Sequence, residues 1–429
     1  MGFSKSDRLN PPPRFTPHPL PSHSPTTLFP YSSPHPPTFP LMPHLPLPQS
    51  LPIAEIEAIA APFMAQKESL ALVVGIVQGD DDWIESFGRM SHGSAISDGD
   101  IVFEIGSLTK LFTATLLSLL VERQELKLTT PINQLAPAYQ QLPDTITLGT
   151  LATHTSGLPR LPTNIHQAIK ADPQNPYAAY TQKDLHAYLQ SHDGTLGKTT
   201  GTISYSNLGA GILGNIMADY LGQSYEEAVI DAICAPLGLK DTCVRLSDGQ
   251  TARLVIGHSP DNQPVKNWDV PTLAGAGALR STANDLLKFL RANLQATSPP
   301  LGRAIAATHS LQSKTFASPT GITKLLVKLG GFRLLRLLQG KPLVERHPQG
   351  IGLGWFVDYL PKIDQPVYWH NGGTGGYRSF CGFILNTQTG VVVLSNYGDN
   401  LGSLLSHYSV DAIGFQILKT LVFPQANSR

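Results

Sequence analysis

Apolar residues recur at helical spacing through Ile53, Ile56, Ile59, Ala60 and Phe63, which predicts a helix over residues 53–66. The next apolar run, ALVVGIVQ at 71–78, is β-branched and stops at Gly79-Asp80, so it reads as a strand closed by a hairpin onto a second strand at 82–90. A short strand at 101–104 then leads straight into a helix. There Leu108, Leu111, Phe112, Leu116, Leu117, Leu119, Leu120 and Val121 cover nearly every face, the pattern of a buried central helix. Helical patterns follow at 183–191, 208–221, 225–237 and 282–294. Strand patterns return only near the end, at 354–359, 367–371, 378–385 and 391–396, before a closing helix over 404–421.

Two strands at the front and three or four at the back, joined by tight turns, predict one antiparallel sheet whose partners come from both ends of the chain. The fold class is therefore α+β, a sheet flanked by helices. Residues 51–106 and 346–429 would form the sheet domain, and 107–345 an inserted, mostly helical domain. Residues 1–50 hold 15 of the 36 prolines, too few backbone donors and too little apolar surface for folding, so they are expected to form a disordered tail.

Composition narrows the function by exclusion. Lys plus Arg and Asp plus Glu both total 31 in 429 residues, which gives no electrostatic case for a nucleic-acid partner. Cys234, Cys243 and Cys381 are too few for a disulfide framework and lack zinc spacing, so free thiols and no metal are expected. The tail has no apolar core or cleavage site of a secretory signal, and no run is long enough to span a bilayer. The chain is thus expected in the cytoplasm, or in the periplasm if its N-terminus is wrongly assigned.

Three stretches carry candidate chemistry. Ser107 and Lys110 stand three residues apart at the start of the apolar helix, on one face, where a lysine held neutral by burial can activate a serine hydroxyl. Ser107 would equally serve as an N-cap, with Lys110 on the surface. Tyr205-Ser206-Asn207 precedes the helix at 208–221: Tyr205 offers a phenol to shuttle a proton and Asn207 an amide that is both donor and acceptor for a substrate amide, although Ser206 or Asn207 also suits a cap. His370-Asn371-Gly372-Gly373-Thr374-Gly375-Gly376 lies between two strand patterns. It reads as a glycine-rich hairpin turn, or as a strand edge where backbone N–H groups can meet an oxyanion.

The order Ser-x-x-Lys, Tyr-x-Asn, His-x-Gly resembles the class C β-lactamase family and its relatives among penicillin-binding proteins, D-amino-acid peptidases and esterases. LATHTSGLP, GAGALRSTANDL, GLGW and WHNGGTGGYRSF add to the resemblance, which spans about residues 53 to 420. It implies a β-lactamase/transpeptidase-like fold, an acyl-enzyme on Ser107, Lys110 as its activating partner, and Tyr205 as general base and acid. Asn207, His370, Asn371, Gly372 and Gly373 would bind the substrate, with the N–H groups of Ser107 and Gly373 as oxyanion hole. His370 stands where class C enzymes usually carry a lysine, which weakens attraction for a substrate carboxylate.

The expected reaction is hydrolysis of a β-lactam, a D-Ala-type peptide or an ester, with a small-molecule or peptide acyl substrate, no cofactor and no obligate protein partner. The competing reading is a non-catalytic or slowly acylating protein that binds penicillin or wall peptides. From Thr323 to Lys341, Leu alternates with Lys and Arg at near-helical spacing. That stretch is expected to pack as an amphipathic helix or a lid, or to touch a membrane surface weakly.

Overall fold

The computed structural model describes residues 53–65, 67–88, 98–191, 196–295, 298–315, 349–359, 365–398 and 409–422. The proline-rich tail, the Thr323 to Lys341 stretch and the first residues of the expected closing helix lie outside that set. Helices of twelve residues or more are α1 (Ile53–Met64), α2 (Thr109–Glu122), α3 (Asn207–Leu221), α4 (Ala283–Leu294) and α5 (Val410–Val422). The strands are β1 (Ala71–Gln78), β2 (Asp81–Gly88), β3 (Phe103–Glu104), β4 (Arg280–Ser281), β5 (Gly350–Ile351), β6 (Phe356–Tyr359), β7 (Pro366–Gly373), β8 (Arg378–Ile384) and β9 (Thr389–Ser395). No described helix is long and apolar enough to cross a membrane.

Seven strands form one antiparallel sheet in the order β2-β1-β9-β8-β7-β6-β5, so the chain's first strands close against its last one. Residues of β1 alternate between two cores, as a strand's period of two requires. Leu72, Val74 and Ile76 pack with Ile56 and Phe63 of α1 and Ile413 and Ile417 of α5, whereas Ala71, Val73 and Val77 belong to the core shared by α2 and α4. Both faces of β1 are thus covered, which explains why ALVVGIVQ is apolar throughout rather than alternating.

Every residue of α2 from Thr109 to Leu120 is buried. Its polar side chains find partners instead of water: Ser118 donates to the Ala304 carbonyl oxygen (2.7 Å), Thr113 to that of Gly275 (2.8 Å), and Thr109 accepts from the Leu279 N–H (3.1 Å). Such bonds contribute about 1 kcal/mol each and would cost more if left unmade in the core. They also tie the start of α2 to residues 275–279, the far wall of the cleft described below.

The structure differs locally from the sequence expectation in three places. The strand expected at 101–104 shrinks to Phe103–Glu104 and leaves the main sheet, pairing with Arg280–Ser281 in a two-stranded ribbon. The helical pattern at 225–237 contains a π segment, Ile230–Cys234. The strand expected to stop at Asn371 runs on through Gly373, because Gly372 pairs with Ser379 and Gly373 with Arg378. Backbone hydrogen bonds extend that strand where side chains give no signal.

Candidate active site

Ser107 sits in a single 3-10 turn, Gly106–Leu108, between β3 and α2. The turn depends on Gly106, whose φ of 49° is left-handed and whose added Cβ would stand 2.6 Å from the Gly373 nitrogen. β6 pairs with β7 only as far as Trp369. Beyond that point the β7 edge meets the Ser107 turn instead: a Cβ on Gly372 would overlap the Ile105 carbonyl oxygen and stand 3.0 Å from the Ser107 nitrogen. The Ser379 hydroxyl donates to the same Ile105 carbonyl at 2.8 Å, fixing the turn to the sheet. Two main-chain segments from opposite ends of the chain therefore bring the nitrogens of Ser107 and Gly373 to one place.

Lys110 Nζ lies 2.9 Å from Ser107 Oγ and donates to the Ala276 carbonyl oxygen at 2.6 Å. It is buried and makes no ion pair among the described residues, and burial, aided by the charge on Arg160, holds its pKa well below the usual lysine value. With one N–H committed to Ala276, a neutral amine keeps a lone pair for the Ser107 proton. The Tyr205 ring centroid is 4.8 Å from Lys110 Nζ, and Ser107 acts on its hydroxyl as a hydrogen-bond partner. Burial raises the Tyr205 pKa, so the phenol is protonated at rest, whereas burial lowers that of Lys110 and favours the amine as proton acceptor.

Asn207 opens α3 directly after the Ser206 cap, whose hydroxyl accepts from Gly209 N–H (2.8 Å) and donates to the Pro159 carbonyl oxygen (2.7 Å). Its Oδ1 is buried without a hydrogen-bond partner among the described residues. A cleft is lined by Gly106, Ser107, Tyr177, Asn207, Trp268, Val270, Ala276, Gly277, Gly373 and Thr374. Not one of these side chains is charged.

His370 and Asn371 stand differently from their expected roles at the substrate. His370 is fully buried behind Tyr205, its Nδ1–H donating to the Asn371 carbonyl oxygen at 2.6 Å and its ring stacked 5.2 Å from Phe356. Burial first, and Lys110 second, pushes its pKa down to about 3, so it is neutral and presents no cation to a carboxylate. The Asn371 side chain points the other way along the alternating strand and donates to Asp411 of α5 at 2.6 Å. Gly373 does reach the cleft; Gly372 packs on the Ser107 turn behind it.

Several residues of the site escaped the sequence reading. His154, within LATHTSGLP, has its ring 4.4 Å from that of Tyr205 and its Nδ1 accepts from the Ser206 N–H (3.3 Å). The rings of Tyr177 and Trp268 pack at a tilt, 5.3 Å apart, and form an aromatic wall. Beneath it Glu104 accepts from the Trp268 N–H at 2.8 Å and pairs with Arg280 at 3.5 Å, while Arg280 donates to the Trp268 carbonyl oxygen at 3.0 Å. Glu104 precedes Ser107 by three residues and Arg280 follows Gly277 by three, so this buried pair couples the nucleophile turn to two walls. No periodicity marks Tyr177 or Trp268, because both lie in irregular segments.

Comparison with known proteins gives the chain's family and fold. The family model described as Beta-lactamase matches residues 56–412. A β-lactamase of Providencia stuartii is 28% identical over 350 residues, covering 80% of this chain and 86% of its own. The D-alanyl-D-alanine-carboxypeptidase/endopeptidase AmpH of Escherichia coli K12 is 28% identical over 361 residues, covering 79% of this chain and 84% of its own. Among solved structures, a class C β-lactamase from Rhodobacter sphaeroides superposes with a TM-score of 0.63 at 25% identity, covering 86% of this chain and 99% of that one.

Proposed function

The chain belongs to the beta-lactamase family and is a serine hydrolase; from that premise we propose that Ser107 is its nucleophile and that it hydrolyses a β-lactam or a D-Ala-type peptide through an acyl-enzyme. The observation that carries this reading is Lys110 Nζ at 2.9 Å from Ser107 Oγ, with no carboxylate paired to it among the described residues to stabilise an ammonium. Lys110 takes the hydroxyl proton as Ser107 attacks the acyl carbon, and the negative charge grows on the former carbonyl oxygen. The adjacent main-chain nitrogens of Ser107 and Gly373 support an oxyanion site for that charge. Tyr205, whose ring centroid is 4.8 Å from Lys110 Nζ, passes the proton to the leaving group. Asn207, with its buried carbonyl oxygen uncommitted among the described residues, holds the substrate amide. Water then attacks the ester of Ser107 and releases the acid.

The substrate class follows the names of the relatives, and the cleft supports a compact, largely uncharged acyl group against Tyr177, Trp268 and Val270. Mass spectrometry after incubation with penicillin tests the reading. The wild-type protein is expected to gain a covalent adduct on Ser107 that decays on removal of free drug, while Ser107→Ala gains none and loses turnover of nitrocefin and p-nitrophenyl acetate. Turnover retained by Ser107→Ala would remove this serine from the mechanism.

A further inference from the structure

The two basic side chains at the heart of the site carry no fixed charge. Burial holds the Lys110 pKa well below the usual lysine value, and His370 is buried with its Nδ1–H committed to a backbone oxygen. The cleft lining is uncharged as well. A permanent cation stands just beside it in Arg160. This residue is exposed, and its Cζ lies 5.2 Å from the centroid of the Tyr205 ring. Its carbonyl oxygen accepts the N–H groups of Asn207 (3.0 Å) and Leu208 (3.2 Å), so its main chain is pinned to the first turn of α3, which presents Asn207 to the cleft. Among the described residues its guanidinium makes no ion pair. An arginine anchored through an aromatic face keeps its N–H fork for planar, bidentate recognition of a carboxylate.

We propose that Arg160 reads a carboxylate on the acyl donor, supplying from the α3 side of the cleft the positive charge that His370 does not supply from β7. The proposal rests on the acyl-transfer reading and names the chemistry of the substrate it favours. An uncharged lining accepts the reacting portion of the substrate, and selection by charge falls to the rim. Arg160 also acts through its field on Lys110 and Tyr205, which changes the rate with every substrate alike. A ratio of substrates separates recognition from that general effect.

The test compares kcat/KM of wild type, Arg160→Gln and Arg160→Lys on three esters: neutral p-nitrophenyl acetate, p-nitrophenyl hydrogen glutarate with its carboxylate on the acyl part, and 3-carboxyphenyl acetate with its carboxylate on the leaving group. In Arg160→Gln the ratio of a carboxylate ester to the neutral one is expected to fall about tenfold or more, mainly through KM, as loss of a charge-assisted bond predicts. Arg160→Lys should restore part of it, and rising salt should lower the wild-type ratio. A fall confined to one charged ester supports the proposal and identifies which part of the substrate carries the anion. Unchanged ratios for both charged esters overturn it. Failure of the acyl-enzyme reading would be visible separately, as hydrolysis of the neutral ester by Ser107→Ala.

Discussion

Lys110 works by being denied its usual charge. Burial disfavours the ammonium, no carboxylate restores it, and the Arg160 field pushes the same way. Two pH effects follow from one lowered pKa. Acylation needs the neutral amine, so kcat/KM should rise with pH through a value well below the ordinary lysine range. The raised Tyr205 phenol adds no falling limb below about pH 10. Folding responds as well: the unfolded chain holds a proton at Lys110 more tightly than the folded chain does, so this residue costs stability near neutral pH. That cost diminishes as pH rises toward about 10.4, where the unfolded lysine also deprotonates. Lys110→Met should therefore lower kcat by about a hundred- to ten-thousandfold, as expected for removal of a general base. Urea titrations should show the stability difference between the two proteins moving in favour of the wild type as pH rises from 7 to 10. A parallel pair of stability curves would mean that Lys110 is charged in the folded protein.

At the scale of elements, β7 does two jobs on its two faces and one on its edge. His370 and Gly372 face the Ser107 side, Asn371 faces α5, and the edge beyond Trp369 is left open by β6. Sequence spacing shows that a strand leads into a glycine run. It does not show where the pairing stops, since Gly372 and Gly373 carry no side chain to alternate, and a one-residue error exchanges the faces. That is why Asn371 reads as a substrate ligand from the motif alone; His370 faces the Ser107 side but is buried against Tyr205. The helix of Ser107 was legible for the opposite reason: its apolar residues cover the whole circumference, and a helix so covered has to be central. Asn371→Ala tests the assignment of faces. Loss of the bond to Asp411 should destabilise the fold by about 1–3 kcal/mol, read from the denaturant midpoint, with a smaller proportional effect on kcat/KM. A large rise in KM without loss of stability would return Asn371 to the substrate.

Over the whole molecule, the site exists only because the chain's two ends share a sheet. β1 joins β9 through seven residue pairs, from Leu72 opposite Ser395 to Gln78 opposite Thr389, and that pairing sets the height at which β7 meets the turn after β3. Strand patterns at both ends of the sequence suffice to predict such a sheet, and they bring Ser107 and Gly373 to one seam. They do not reveal the depth of the contact, which is a matter of missing atoms: Gly106 and Gly372 let two backbones approach more closely than any side chain allows. Gly372→Ala is therefore the sharpest test of the architecture. Its methyl group would meet the Ile105 carbonyl oxygen and the Ser379 hydroxyl, both of which hold the Ser107 turn in place, so β7 and the turn must separate. Since main-chain donors act only where they converge, a displacement of even one ångström should cost about a hundredfold in acylation rate. The rest of the sheet pairs without Gly372 and should keep its far-ultraviolet circular dichroism. Rapid labelling of Ser107 by a fluorophosphonate in folded Gly372→Ala would show that the seam does not need this close approach.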